Sequence, residues 1–148
     1  MKLSRVLTES SFRAASALAY LVLAYLGVLF LIFVMGLEAI SYPEVIAAYV
    51  SSGLLAAVFG WILAPWHRAA LKSFKLYAAP LLVVVASSLG AGITYTTTDV
   101  LLGDEYASFW AVLLSGAFVG AIGFVWVSPF SIFGCIAGVF CLRRLSLK

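Results

Sequence analysis

Charge is scarce in this sequence: nine basic and six acidic residues make up 10% of its 148 positions, against roughly 25% in ordinary soluble domains. Histidine occurs once, at His67, which excludes any site that needs two imidazoles. The two cysteines, Cys135 and Cys141, stand six apart, neither the CxxC of a redox motif nor zinc-site spacing. They fall on different faces of a helix and read as small packing residues. No GxSxG, HExxH, P-loop or paired-carboxylate arrangement is present, and neither acidic stretch has the EF-hand pattern of a calcium site. The expectation is therefore a protein that is not an enzyme, with no catalytic residue, no metal and no cofactor. The long apolar runs contain no ionisable residue, which argues against a proton- or ion-coupled carrier but leaves a neutral-solute pore open.

What the chain has in abundance is apolar length. It is 65% hydrophobic with a mean hydropathy of +1.16, more than a soluble fold of this size can hide. A span needs about 20 apolar residues to cross a hydrocarbon core of about 30 Å. Four stretches qualify: residues 14–37, 45–64, 76–98 and 107–128. They are continuously apolar rather than alternating, which favours helices over barrel strands. The first run, 24 residues long, exceeds the roughly 7 to 15 apolar residues of a cleavable signal and reads as a retained anchor. The predicted fold is an all-α integral membrane protein, a four-helix transmembrane bundle forming one membrane domain over residues 1–148.

The charges are segregated. Lys2, Arg5 and Arg13 precede the first span, Arg68, Lys72 and Lys75 lie between the second and third, and Arg143, Arg144 and Lys148 close the chain. Glu38, Glu44, Asp99, Asp104 and Glu105 fall in the other two loops, and only Glu9 breaks the pattern. Because cytoplasmic loops carry the excess of Lys and Arg, both termini and the central loop are expected on the cytoplasmic side of a bacterial inner (plasma) membrane. The net charge of +3 is the difference between a basic face and an acidic one and implies no nucleic-acid partner. If the central loop 65–75 is helical, Arg68, Lys72 and Lys75 share a face. With Arg143 and Arg144 they are the candidate contacts to anionic lipid headgroups. His67, next to Trp66, is expected in the aromatic belt at the interface. Pro43 and Glu44 suit the start of the second helix, and Asp104 with Glu105 the start of the fourth.

The layout is that of two hairpins in one orientation, with matched stretches GWILAPW from Gly60 and GFVWVSPF from Gly123 near the ends of the returning helices. After Pro129, however, a further apolar segment, residues 130–142, precedes Arg143. At 1.5 Å per residue it is about 20 Å long, too short to cross again. Two alternatives remain: a short C-terminal interfacial helix after a break near Ser128 and Pro129, or a kinked extension of helix 4. The break is preferred, because the residue before proline avoids the helical region.

Spans associate through close backbone approach, so small residues mark helix packing. Candidates are Ser52, Ala56 and Gly60 on span two, Ala86 and Gly90 on span three, Gly116 and Gly120 on span four, and Gly134 and Gly138 beyond it. The cluster from Thr94 to Asp99 reads as the wet end of span three. In size and topology the layout is similar to that of small polytopic immunity proteins, although no motif carries the likeness. The function expected is action through helix contacts with a protein partner, as an accessory subunit, assembly factor or immunity-type protein against a membrane-acting toxin. The alternative is a self-associating channel or facilitator for a neutral solute.

Overall fold

The computed structural model describes residues 9–36, 41–68, 73–103 and 107–146. Of these, 95% are helical and none is in a strand. Four α-helices follow in order, α1 (Glu9–Met35), α2 (Pro43–Leu63), α3 (Phe74–Leu102) and α4 (Phe109–Ser146), with a 3-10 turn (Ala64–Arg68) continuing α2. Three are long and apolar enough to cross a membrane: Glu9–Val34, Pro43–Arg68 and Phe74–Leu102. In α4 the segment Phe109–Val125 is apolar but shorter. At 1.5 Å per residue, the 27 residues of α1 extend about 40 Å, more than a hydrocarbon core of about 30 Å.

The helix ends follow local rules. After Met35, Gly36 takes φ +101°, the left-handed conformation that glycine adopts without the penalty of a Cβ. Pro43 occupies the first turn of α2 with Glu44 beside it, as the sequence implied. The start of α4 differs from expectation. It begins at Phe109, and Ser108 caps it through a hydrogen bond from the Ala111 N–H to Ser108 Oγ at 3.2 Å. Asp104 and Glu105 lie outside the described residues.

α1 packs on α2 and on α4, α2 on α3, and α3 on α4. α3 is the most enclosed: 44% of its most apolar stretch is buried, against 18% in α1 and 22% in α2. The main core cluster joins Tyr20 of α1, Ala56 and Leu63 of α2, and Ala79, Val83 and Val84 of α3, with Phe124 of α4 packed against it.

The preferred helix break at Ser128 and Pro129 is not found. α4 continues through both as one 38-residue helix, so the separate interfacial helix is replaced by an extension. Gly116 lies against Gly92 and Ile93, and Gly120 against Ser88 and Leu89, which makes α3 and α4 antiparallel. Further along the same helix, Gly134 and Gly138 face Leu23, near the middle of α1.

Candidate functional site

Two regions hold the molecule together, and they are built from different chemistry. The first is a seam of glycines between α3 and α4. A Cβ added at Gly92 would overlap the Gly116 carbonyl oxygen and the Gly120 backbone, and one added at Gly120 would lie 2.6 Å from the Ser88 carbonyl oxygen. Backbone meets backbone here. Such approach is possible only without side chains, and it maximises van der Waals contact where lipid supplies no hydrophobic drive.

Gly90 serves another neighbour: its open side is filled by Leu55 of α2. Two residues along a helix turn the face by about 200°, so Gly90 and Gly92 point to nearly opposite sides and α3 lies between α2 and α4. Gly92, absent from the sequence-based set, carries the α4 contact. Ala86 is half-buried. Thr94, Thr97 and Thr98 donate to carbonyls of their own helix, at Gly90, Ile93 and Thr94. On α2, Ser52, Ala56 and Gly60 are buried. Gly53 makes the notch that receives the Tyr25 ring, which stacks on Tyr49 with centroids 4.6 Å apart.

The second region joins the start of α1 to the 3-10 turn after α2, and it is polar. Glu9 accepts hydrogen bonds from Arg13 Nε at 2.9 Å and from Arg68 Nη1 at 2.7 Å. The one acid that broke the charge segregation is thus bound by two of the basic residues around it. The Arg68 guanidinium also lies 4.2 Å above the centroid of Phe12, a cation–π arrangement. Beneath it Phe12 and Ala64 are fully buried, and Ser16 Oγ, also fully buried, donates to the Gly60 carbonyl at 2.9 Å. That bond crosses between helices. Gly60 allows it, since a Cβ there would stand 3.2 Å from the Ser16 carbonyl oxygen and 2.7 Å from the Tyr20 ring.

His67 is not in an interfacial belt. It has no exposure, and its ring lies 5.5 Å from that of Tyr20. The 3-10 turn aims it inward while Pro65 and Arg68, on either side, remain exposed. Arg68 and Lys75 do not share one helical face either, because Ser73 is extended, with φ −78° and ψ 129°, and separates the 3-10 turn from α3. Lys72 lies outside the described residues. Lys75 is exposed, with Nζ 6.0 Å from the Trp66 ring centroid. Arg144 is exposed on α4, and Cys141 is an exposed free thiol. Arg143 and Cys135 lie on the same helix.

Outside these regions, an apolar groove of about 180 Å³ opens between α1 and α2, lined by Leu29, Ile32, Val45, Ile46 and Tyr49. No group of three or more His, Cys, Asp or Glu side chains able to hold a metal ion occurs among the described residues. Of these features, sequence reasoning missed Gly92, Ser16 and the Glu9–Arg68 pair. Glu9 had a signal, as the only acid among basic residues. No protein-family model, no curated protein and no solved structure matches this chain.

Proposed function

We propose that the chain is a non-enzymatic, multi-pass membrane protein of four spans that acts through helix contacts with a protein partner, as an accessory subunit, assembly factor or immunity-type protein. In this reading the Glu9 and Arg68 end, with both termini, faces the cytoplasm of a bacterial inner membrane. Lys75 and Arg144 then meet anionic headgroups, each contributing about 1 kcal/mol near such a surface.

The observation that carries the reading is the division of labour on α4. Its glycine face is consumed by α3 at Gly92. Its opposite face presents Leu114, Phe118 and Val125, all more than two thirds exposed. Gly92, Gly116 and Gly120 are spent on internal contact between α3 and α4 and are not free to enclose a pore, whereas the bulky face of α4 suits a partner helix.

Purification in mild detergent tests this. A foreign protein co-purifying in stoichiometric amount, and lost when Leu114 and Phe118 are changed to alanine, supports the reading. A homo-oligomer that conducts a neutral solute in liposomes overturns it in favour of a channel.

A further inference from the structure

At its basic end the molecule buries an imidazole whose ring nitrogens have no hydrogen-bond partner among the described residues. His67 has no exposure, and neither Nδ1 nor Nε2 has a hydrogen-bond partner among the described residues. Buried polar groups ordinarily find partners. A ring with none is housed in its neutral form, because a second ring proton would need an acceptor and the described residues offer none.

The surrounding charges sharpen the point. α1 contributes Glu9, Arg13 and the Tyr20 ring, the 3-10 turn contributes Arg68, α3 contributes Lys75, and Arg144 lies near the end of α4. The described charge of α2, Glu44, is at its opposite end. Glu9, the single acid at this end, already holds two guanidinium groups. Among the described residues, an imidazolium here would meet like charge and no free carboxylate.

We propose that His67 is a proton-operated latch: neutral, it holds the 3-10 turn against α1; protonated, it leaves the pocket and opens that junction. The proton comes from water and returns to it on closing, so no other reactant is needed. The opened form takes up a proton that the closed form refuses. The closed junction is therefore at full strength above the ordinary imidazole range, about pH 6.5, and weakens as pH falls below it. With the released ring at its ordinary value, the opening equilibrium grows about 30-fold between pH 8 and pH 5. Arg68 moves with the turn, so acid also parts it from Glu9, which keeps its pair with Arg13. The latch does not depend on the partner reading.

Because the chain holds one histidine, carbon-13 labelling of histidine gives one imidazole signal, read on full-length protein purified without a histidine tag. At pH 5.5, where an exposed imidazole is about nine-tenths protonated, the closed protein keeps the neutral signal. Opening is read in parallel at Ser16→Cys, a fully buried position in the same junction, with Cys135 and Cys141 replaced by serine. Its maleimide labelling rate, divided by that of the same chain carrying His67→Phe, rises about 30-fold from pH 8 to pH 5. The division removes the reagent's own pH dependence, and His67→Gln replaces His67→Phe if the latter does not fold. A ratio constant within twofold, or an imidazole titrating near pH 6.5 while Ser16→Cys stays protected, would overturn the latch.

Discussion

The α3–α4 seam and the junction between α1 and the 3-10 turn do the same job by opposite means. In the seam, glycine backbones touch, so the constraint is steric and unforgiving: neither Gly92 nor Gly116 can gain an atom without moving a neighbouring backbone. At the junction, side chains meet: Glu9, Arg13 and Arg68 form half-exposed, individually weak ion pairs, with the Arg68 guanidinium over the buried Phe12 ring. The middle of a helix long and apolar enough to cross a membrane, as α3 is, favours the first device, because it needs no polar group there. A helix end near water allows the second. The comparison teaches that rigidity in this fold is concentrated at α3, and adjustability at the end of α2.

The largest effect is expected at the seam. Gly92→Ala puts a methyl group into the Gly116 carbonyl and the Gly120 backbone, and overpacking against atoms that cannot rotate away costs about 3 kcal/mol or more. Folded yield in detergent should collapse. Full tolerance would remove Gly92 from the helix contact. Gly53→Ala is expected to be milder, about 1 to 3 kcal/mol, because it meets the Tyr25 ring rather than backbone. Tyr25→Ala in the same chain should recover part of the loss, and thermal melting with and without that second change measures it.

At the junction, Glu9→Gln removes both ion pairs. Exposed pairs are worth at most about 1 kcal/mol, so the change should lower the melting temperature by a few degrees at low salt and less at high salt. A loss as large as that of Gly92→Ala would make the polar junction the principal join and reverse the comparison. The smallest effect belongs to Gly123, where an added Cβ meets nothing within 4 Å. There Gly123→Ala should be neutral or stabilising by up to about 1 kcal/mol through helix propensity, and melting would reveal a clash if one existed.

The helices were legible in the sequence because apolar length is a one-dimensional signal. Residues 14–37, 45–64 and 76–98 fall within or close to α1, α2 with its 3-10 turn, and α3. Helix rotation was less legible. α3 carries small residues on two faces, Gly90 and Thr94 on one and Ser88 and Gly92 on the other, and spacing alone does not say which face meets which neighbour. The continuation of α4 was hidden by a local rule: Ser128 precedes proline, which ordinarily marks a boundary, yet the helix runs on and brings Gly134 against Leu23. His67 was misplaced for a related reason, since Trp66 beside it signalled an interface while the 3-10 turn directs the imidazole inward. Glu9 appeared only as an exception until Arg68, 59 residues away, was found bonded to it.

The central claim of the proposal is a four-span chain whose Glu9 and Arg68 end shares one side of the membrane with the end of α4. Single cysteines at Ser10, Gly103 and Ser146, in a chain with Cys135 and Cys141 replaced by serine, test it in intact cells and in inside-out vesicles with an impermeant thiol reagent. The account predicts that Ser10→Cys and Ser146→Cys react only in inside-out vesicles and Gly103→Cys only in intact cells. Reaction of Ser146→Cys in intact cells, with Ser10→Cys protected there, would contradict it.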